Sequence, residues 1–558
     1  SFKNVIDACH AEGAKVSVQL QHAGPDVNQK IAGYPLVAAS PIPSKDGHPT
    51  PVILTTEEIY DIIEAYGDAA VRAMKAGIDA VELHCAHGYL VSTFISPRTN
   101  KRVDEFGGCF ENRMRFPRLI IENIKKKTEG KIAILARINA QDDVLGGLTL
   151  QDSTAVAVYL EEVCKIDALH VSRATHLNDE CMWAPTAIHG GFSSDLVSSI
   201  KEVINIPVIT VGRFTEPQYA DIMVKQGRAD LVSFGRQSLA DPETPNKARD
   251  GKLELMTPCI ACLQGCVPNM FQGKPITCLA NPFLGREGEL TMAKESKNVL
   301  VIGGGLGGMQ AAWVSALRGH KVTLVEKSYT LGGQMRLAAY PPGKGDITNL
   351  VRNFIARCDE YGVKVLLNTE ATEELVKEMN PDVCIVATGA TPLVLPIPGI
   401  NDVGVINAID LLDGQKACGT KVLVVGGGMV GAETAEFLAE QEHEVSIIEF
   451  KDKIAGDVAK EHRKYIMEAF DRHNVESITG AKVAEFYTDG VKYELADGSV
   501  HEVRGFDSVV LAMGSRNYDP ISESLKDIVK ETYVIGDAVR ARRALNATAE
   551  ALDVALSI

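Results

Sequence analysis

The 558-residue sequence contains no apolar run that approaches the roughly 20 residues needed by a membrane-spanning helix. It also lacks blocks of basic residues, and its formal net charge is −16. These absences argue against nucleic acids and anionic membranes as partners. The first residues, SFKNVIDACHAEGAKVSVQL, are typical of a helix that leads into a strand and not of a signal peptide. We therefore expect a cytoplasmic protein that binds neither nucleic acid nor membrane.

Cysteine is scarce, with 12 residues in the chain, and eight of these lie in apolar or helical stretches typical of reduced core thiols. The other four are crowded at Cys259, Cys262, Cys266 and Cys278. Reduced surroundings argue against disulfides. Structural zinc usually takes two short cysteine pairs, whereas here three cysteines bunch and one is distant. Four thiolates without histidine also suit an iron–sulfur cluster, so from spacing alone both metal sites remain open.

Residues 1–250 alternate short β-rich runs with amphipathic helical stretches. Buried strands joined by helices predict a parallel sheet covered by helices. The six repeats fit a (β/α)8 barrel, and we expect its first strands to lie upstream of residue 1; an open doubly wound sheet is the alternative. The predicted strands are KVSVQL (15–20), AVELH (80–84), IAILARI (132–138), ALHVS (168–172), PVITVG (207–212) and LVSFGR (231–236).

Two later segments, beginning at residues 298 and 421, each read as strand, glycine-rich turn, helix and strand. The glycines permit a tight turn, close approach of a pyrophosphate and close helix packing, and a glutamate 18 residues beyond the third glycine is placed to bind ribose hydroxyls. Because a carboxylate repels a 2′-phosphate, the second segment predicts NADH rather than NADPH. The residues are Gly303, Gly305, Gly308 and Glu326 in the first segment, and Gly426, Gly428, Gly431 and Glu449 in the second.

A polar constellation follows the predicted strand at 80–84. His84, His87 and Tyr89 lie at or just beyond its C-terminal end, the side of a barrel on which active sites are built. Imidazoles can hydrogen-bond and polarise a carbonyl oxygen, and a phenol can donate a proton. These residues are therefore candidates for carbonyl chemistry, the alternative being satisfied structural polar groups.

The stretch VELHCAHGYLVSTFISPRTNKRVDEFGGCFENRMRF (81–116) resembles the Old Yellow Enzyme family of FMN-dependent ene reductases. Further motifs resemble the FAD-domain signatures of two-dinucleotide flavoprotein reductases: LGGQ (331–334), ATGATP (387–392) and VIGDA (534–538). The whole chain resembles the larger iron–sulfur branch of the family, which includes 2-enoate reductase, 2,4-dienoyl-CoA reductase, the bile-acid-inducible NADH:flavin oxidoreductases and trimethylamine dehydrogenase. The resemblance implies FMN, FAD, a [4Fe-4S] cluster and NADH as cofactors.

The resemblance also implies residue roles. His176, after the sixth strand, lies where dienoyl-CoA reductases carry a catalytic histidine, and the four clustered cysteines would hold the [4Fe-4S] cluster. Tyr89 would protonate the α-carbon of the substrate while His84 and His87 hold its carbonyl oxygen. The implied flavin contacts are Gln19 and Arg137 for the FMN ring, Gly212, Arg213, Gly235 and Arg236 for the FMN phosphate, and Gln334, Thr388, Gly389 and Asp537 for FAD.

The implied activity is NADH-dependent reduction of the C=C bond of an α,β-unsaturated carbonyl compound (an enoate, enoyl-CoA or enone), with electrons passing from NADH to FAD, [4Fe-4S], FMN and substrate. The alternatives are a 4-ene-3-oxo steroid or bile-acid CoA oxidoreductase and an amine dehydrogenase resembling trimethylamine dehydrogenase. We expect a homo-oligomer. The expected domains are an FMN barrel (1–250), a cluster segment (251–297), a two-part FAD domain (298–410 and 501–558) and an NADH domain (411–500).

Overall fold

The computed structural model describes residues 2–401 and 405–558, so that residues 402–404 of the expected FAD domain lie outside the described residues. The chain consists of two compact units. The first unit contains residues 1–184 and 188–235, and the second contains residues 185–187 and 236–558.

The first unit is built from strands joined by amphipathic helices. In the longest of these helices, the Thr55 side chain accepts a hydrogen bond from the Glu58 N–H, and the Glu58 carboxylate accepts one from the Thr55 N–H. These two bonds fix the start of the helix, and Gly77, in a left-handed backbone conformation, follows its last residue. The elements are α1 (Lys3–Ala11), β1 (Ser17–Leu20), α2 (Gln29–Ala32), β2 (Val37–Ala38), β3 (Val52–Ile53), α3 (Thr56–Ala76), β4 (Ala80–His84), α4 (Leu90–Ile95), α5 (Phe110–Arg113), α6 (Arg115–Thr128), β5 (Ala133–Asn139), α7 (Leu150–Glu162), β6 (Ala168–Ser172), α8 (Asp179–Met182), α9 (Ser194–Lys201), β7 (Val208–Thr210), α10 (Pro217–Lys225) and β8 (Leu231–Val232).

The main sheet of this unit is parallel and has the strand order β1–β4–β5–β6–β7–β8. At least one helix connects each strand to the next, as parallel pairing requires. The prediction of a parallel sheet covered by helices is confirmed, and β4 and β6 have the predicted bounds. The shared register sets the C-terminal ends of β4, β5 and β6 side by side, with His84 beside Arg137 and Asn139 beside Ser172.

The second unit begins at α11 and carries the cysteine segment and both glycine-rich turns. Its elements are α11 (Arg236–Ala240), α12 (Thr244–Arg249), α13 (Val267–Phe271), β9 (Asn298–Ile302), α14 (Leu306–Leu317), β10 (Lys321–Val325), α15 (Gln334–Leu337), α16 (Asp346–Glu360), β11 (Lys364–Leu366), α17 (Glu373–Met379), β12 (Val383–Val386), β13 (Ala390–Pro392), β14 (Val405–Asn407), α18 (Ala408–Leu412), β15 (Lys421–Val425), α19 (Met429–Ala439), β16 (Glu444–Ile448), α20 (Lys460–His473), β17 (Glu476–Ile478), β18 (Ala481–Tyr487), β19 (Gly490–Leu495), β20 (Val500–Arg504), β21 (Ser508–Leu511), β22 (Ser515–Asn517), α21 (Ser522–Leu525), β23 (Glu531–Val534) and α22 (Ala544–Ser557), with short 3-10 helices at Leu253–Leu255, Glu287–Glu289 and Gly536–Ala538.

Two five-stranded parallel sheets of the second unit share the arrangement of strands around the glycine-rich turn. One has the order β11–β10–β9–β12–β23 and the other the order β17–β16–β15–β21–β14. In each sheet the strand before the glycine-rich turn is central and the strand after the following helix lies beside it, which is the Rossmann arrangement. The outer strand of the first sheet, β23, comes from the C-terminal part of the chain, whereas that of the second, β14, precedes the glycine-rich turn.

The second sheet therefore extends beyond the range 411–500 expected for the NADH domain, because β14 and β21 pair in it. An antiparallel sheet, β18–β19–β20, covers residues 481–504 and so also extends past residue 500, and β13 pairs with β22. Within the part of the chain that the structure describes, no helix is long and apolar enough to cross a membrane.

Candidate functional site

His84 and His87 lie at the end of β4 and belong to one continuous series of hydrogen bonds. The Ala86 N–H donates to His84 Nδ1 over 3.2 Å, which assigns the proton of that ring to Nε2, and this atom lies 3.3 Å from His87 Nδ1. His87 Nε2 in turn lies 2.8 Å from Ser172 Oγ, which also accepts from the Arg137 guanidinium. All four ring nitrogens therefore have partners within the protein.

The imidazole rings of His84 and His87 are both neutral. Burial lowers the pKa of His84 to about 3, with the Arg137 cation as the next cause, and burial also lowers the pKa of His87 well below its ordinary value. The role expected of His84 and His87, as donors to a substrate carbonyl, stays a prediction. It requires that a ring N–H exchange its present partner for the substrate oxygen.

Tyr89 instead lies beside His176. Their ring centroids are 4.8 Å apart in an edge-to-face arrangement, and the His84 ring lies at the same distance from Tyr89. The hydroxyl oxygen of Tyr89 is hydrogen-bonded by the Gln21 side chain. Burial, followed by the negative charge of Asp26, raises the pKa of Tyr89, so its hydroxyl is protonated and can donate at neutral pH.

The second neighbour of His176 is Asp26, which sequence reasoning missed. Oδ2 of Asp26 lies 2.8 Å from His176 Nδ1, and both side chains are almost completely shielded from solvent. The other ring nitrogen, Nε2, is buried and has no hydrogen-bond partner among the residues that the structure describes. Asp26 and His176 are 150 positions apart in the sequence, so no local motif links them.

A second cluster of polar side chains is formed by residues of β1, β4, β5 and β6 in the main sheet. Glu82 accepts from the Gln19 amide over 2.6 Å, and its other oxygen lies 2.8 Å from His170 Nδ1. The Nε atom of Arg137 and Nε2 of His170 are buried without a partner among the described residues. Buried polar atoms that lack a protein partner fit a polar ligand, and FMN offers ring oxygens and nitrogens. Glu82 and His170 were also missed, although a carboxylate within a buried strand was a usable signal.

The residues expected at the FMN phosphate fall in both units. Gly212 and Arg213 follow β7 with backbone φ angles of 154° and 55°, and the Arg213 guanidinium donates to the Ile188 carbonyl. Gly235 follows β8, and no atom lies within 4 Å of the place a Cβ would occupy. Arg236 opens the second unit, where it lines a cavity with the four clustered cysteines.

The small cavity lined by Arg236 also contains all four clustered cysteines in its wall, namely Cys259, Cys262, Cys266 and Cys278. Burial raises the pKa of Cys262 far above its ordinary value and that of Cys278 to about 11. Uncharged thiols in an apolar site become thiolates when a metal binds. Among the residues that the structure describes, no three histidine, cysteine or acidic side chains are close enough to hold a single metal ion. Four thiols around one cavity at wider spacing fit a cluster of four irons better than one zinc ion.

The two glycine-rich turns use the same contacts. A Cβ on Gly308 would lie 1.9 Å from the Gly303 carbonyl oxygen, and a Cβ on Gly431 would lie 1.8 Å from that of Gly426, so close helix packing requires these glycines. Glu326 accepts hydrogen bonds from the Gly304 and Ser328 N–H groups. Glu449 accepts from the Gly427 and Lys451 N–H groups in the same way. Gly305 and Gly428 leave room at the helix start, where a pyrophosphate can approach the backbone.

A cavity of about 470 Å³ lies in the second unit, in the size range of cofactor sites. Gln264, which lies between two of the clustered cysteines, reaches this cavity, as does Glu433 of α19. The Gln334 amide donates to the Ala390 carbonyl, and the Thr388 hydroxyl donates to the Tyr518 carbonyl. These two hydrogen bonds connect separate segments of the cavity wall. The expected FAD residues that line the cavity are Gly303, Gly305, Glu326, Gln334, Thr388, Gly389 and Asp537, whereas Gly308 does not.

Two family models match the chain. Residues 1–254 match the NADH:flavin oxidoreductase / NADH oxidase family, and residues 297–551 match the pyridine nucleotide-disulphide oxidoreductase family. An NADH oxidase from Thermoanaerobacter brockii is 39% identical, with 100% of this chain and 87% of the relative covered. The chain belongs to the NADH:flavin oxidoreductase / NADH oxidase family.

Other members of the NADH:flavin oxidoreductase family are similar over the whole chain. A cinnamate reductase from Clostridium sporogenes is 32% identical, with 99% of this chain and 86% of the relative covered. A solved complex of 2-naphthoyl-CoA reductase with 2-naphthoyl-CoA has a TM-score of 0.95 at 31% identity and covers 100% of this chain and 87% of its own.

The protein is therefore an oxidoreductase of the multidomain, Old Yellow Enzyme-like type. It combines a TIM-barrel domain with Rossmann-like nucleotide-binding domains, which confirms the predicted fold class. Its cofactors are FMN, FAD, NADH and a [4Fe-4S] cluster, as predicted. The residues that hold each cofactor remain predictions.

Proposed function

We propose that the protein is an NADH-dependent ene reductase that reduces the C=C bond of an α,β-unsaturated carbonyl compound. The observation that carries the proposal is the pairing of Tyr89 with His176, because a protonated phenol and an unpartnered imidazole nitrogen lie together beyond the strand ends. When bound, FMN supplies a hydride to the β-carbon, and FAD and the [4Fe-4S] cluster relay the electrons that reach it from NADH.

The two side chains have separate tasks in this proposal. Tyr89 donates its hydroxyl proton to the α-carbon, while Gln21 keeps the phenol oriented. His176, held at Nδ1 by the Asp26 carboxylate, packs edge-to-face against Tyr89 and helps to position the phenol. His84 and His87, which burial holds neutral, are the predicted donors to the carbonyl oxygen, on which negative charge develops as the C=C bond is reduced.

Conjugated aromatic acids and their thioesters are the substrate class that we favour. The support is that the relatives named for cinnamate and 2-naphthoyl-CoA match nearly the whole chain. A carbonyl next to an extended π-system also offers the two features that the proposed chemistry requires, a hydrogen-bond acceptor and a carbon that accepts the proton of Tyr89.

An anaerobic screen of the cofactor-loaded protein tests this function. NADH alone is expected to bleach the flavin absorbance, and cinnamates, 2-enoates or aryl-CoA thioesters are expected to restore it with formation of the saturated product. The screen includes 4-ene-3-ketosteroids and methylated amines. Turnover of an amine without NADH, or no turnover of any activated alkene, would refute the proposal.

A further inference from the structure

Gln264 lies in the cluster segment, between Cys262 and Cys266, and its side chain reaches the 470 Å³ cavity of the second unit. Of the cluster segment (251–297), which the structure describes in full, only Gln264 lines this cavity. Every other described residue of the wall lies at position 302 or later. One residue therefore belongs both to the cysteine loop and to the wall of the expected FAD site.

The backbone around Gln264 is fixed to the cysteine loop on both sides. The Gln264 N–H hydrogen-bonds the Cys262 sulfur. The next residue, Gly265, accepts a hydrogen bond from the Thr277 N–H over 3.1 Å, and a Cβ on Gly265 would lie 2.4 Å from Thr277 Oγ1. Thr277 directly precedes Cys278 in the chain. A displacement of Gln264 would therefore disturb the loop that presents Cys262 and Cys278 to their shared cavity.

The side-chain amide of Gln264, by contrast, is not satisfied within the fold. Its Oε1 is buried without a hydrogen-bond partner among the residues that the structure describes. Burial of an unpaired amide is unfavourable, so such groups in folded proteins bind a ligand or an ordered water. A carboxamide offers an acceptor oxygen and two N–H donors. The cavity wall therefore presents an oriented amide whose partner is absent among the described residues.

FAD has the chemistry that this amide requires. Its isoalloxazine ring carries carbonyl oxygens, ring nitrogens and an N–H group, and its ribityl chain carries hydroxyls. The same wall contains the first glycine-rich turn and Glu326, which predict a site for the pyrophosphate and ribose of a dinucleotide. A dinucleotide bound through that turn would share the cavity with Gln264. An ordered water is the other occupant that would satisfy Oε1, and rates of flavin release distinguish the two.

We propose that Gln264 is a FAD-binding residue and that, through the backbone contacts of the cysteine loop, it couples FAD binding to retention of the [4Fe-4S] cluster. A ligand that binds the ordered form of a loop stabilises that form against opening. FAD held by Gln264 therefore makes the opening of the cysteine loop, and with it the loss of iron, less frequent. The place of this contact in the route of electrons rests on the proposed function, whereas the binding and the coupling require no substrate.

Release of flavins from the cofactor-loaded protein tests the contact. The protein is diluted, and the released FAD and FMN are separated and measured by chromatography. Gln264→Met keeps the length of the side chain and removes both polar groups. FAD release from this variant is expected to be about tenfold faster than from wild type, because one or two hydrogen bonds are lost, while FMN release keeps its wild-type rate. An unchanged rate of FAD release would overturn the proposal, since that result is expected if water and not FAD satisfies Gln264.

Gln272→Met is the matched control. Gln272 is exposed after the last residue of α13 in the same segment, accepts a hydrogen bond from Lys274 and does not line the cavity. Its substitution is expected to leave the release of both flavins unchanged. Equal acceleration of FAD release in both variants would assign the effect to a disturbed segment and would contradict the proposal.

Gln264→Asn is a second variant for the case that Gln264→Met does not retain about four irons per chain. It keeps the amide and withdraws it from the cavity by one methylene group. FAD release is again expected to be faster than in wild type, with FMN release unchanged. A wild-type rate of FAD release in Gln264→Asn with the cluster intact would count against a direct contact.

Loss of iron to a chelator tests the coupling without any turnover. Wild-type protein is expected to lose iron about fivefold more slowly with excess FAD than after partial removal of FAD, because the occupied site stabilises the cysteine loop. In Gln264→Met this protection by FAD is expected to be absent. Equal protection in both proteins, or none in wild type, would contradict the coupling. Should no alkene be reduced while FAD release and iron loss change as stated, the proposed function fails and the role of Gln264 stands.

Discussion

At the scale of single residues, four aromatic side chains beyond β4 and β6 divide into two groups by their hydrogen bonds. The ring nitrogens of His84 and His87 hydrogen-bond to each other, to the Ala86 N–H and to Ser172 Oγ. The Tyr89 hydroxyl is protonated, and Nε2 of His176 has no hydrogen-bond partner among the described residues. Residue type alone does not separate the groups, because all three histidines are almost completely buried.

Replacement of Tyr89 by phenylalanine removes the proton donor and keeps the ring that packs on His84 and His176. We expect turnover of a cinnamate-type substrate to fall about 100-fold, since general acid catalysis contributes on that order. Flavin reduction by NADH, measured by stopped-flow absorbance without substrate, should keep its wild-type rate. Tyr159→Phe, which changes a partly buried tyrosine packed on Phe110, is the control. Equal turnover in Tyr89→Phe and wild type would exclude Tyr89 as the donor.

At the scale of secondary-structure elements, the two strand–turn–helix units have the same construction. In both, a glycine carbonyl packs against a later glycine of the helix, and the glutamate at the end of the next strand accepts one hydrogen bond from a turn N–H and one from the N–H two residues after itself. The first bond orders the turn without a bound dinucleotide, and further lone pairs of each carboxylate remain for ribose hydroxyls.

Glu449→Gln tests the predicted choice of NADH. The amide keeps an acceptor oxygen but loses the charge that repels a 2′-phosphate. We expect kcat/KM for NADH-driven flavin reduction to fall about tenfold and discrimination against NADPH to decrease, consistent with the loss of one charge-assisted hydrogen bond. Glu326→Gln, the equivalent change in the first turn, should leave the NADH to NADPH ratio unchanged. The assignment would be contradicted if Glu449→Gln retained the wild-type ratio.

Helix α19 carries a carboxyl group that should make stability depend on pH. Burial raises the pKa of Glu436 to about 7, with Lys344 opposing and Glu433 reinforcing the shift. Because the folded state holds this proton more tightly than the unfolded chain, the group costs stability as pH rises from the ordinary range of a glutamate through 7. Thermal unfolding of Glu436→Gln should therefore show a smaller loss of Tm between pH 5.5 and 8.5 than wild type. Equal losses would show that Glu436 is ionised at little cost.

At the scale of the whole molecule, the order of segments along the chain matters for the proposed electron route. The cysteine segment lies between the barrel sequence and the nucleotide-binding sheets, and within the second unit Gln264 connects it to the wall of the 470 Å³ cavity. The cavity of the four thiols and the larger cavity both lie in the second unit. This placement agrees with the proposed route of electrons from FAD to the cluster.

Cys278→Ala tests that route. Loss of one thiolate should lower the iron content below the about four irons per chain of an intact cubane. NADH should still bleach FAD, whereas bleaching of FMN and turnover of an enoate should fall to background because their supply of electrons is interrupted. Cys358→Ala, which removes a buried thiol of α16 outside the cluster segment, should retain both. FMN reduction by NADH at the wild-type rate in Cys278→Ala would refute the route.

The sequence by itself determined the features that depend on local patterns. Apolar runs and helical periodicity located the strands of both units, and the bounds of β4 and β6 were predicted to the residue. Glycine spacing located both dinucleotide turns because a tight turn and close helix packing tolerate no side chain at Gly303, Gly308, Gly426 or Gly431.

Only the tertiary structure decided which polar groups meet. Strand register placed Glu82 between Gln19 and His170, and the fold brought Asp26 to His176 across 150 positions. It also decided that the ring nitrogens of His84 and His87 have partners within the protein, whereas Nε2 of His176 has none among the described residues. The physical reason is that the protonation and availability of a side chain depend on its neighbours in space and on its burial, and neither is encoded in the residue type or its local spacing.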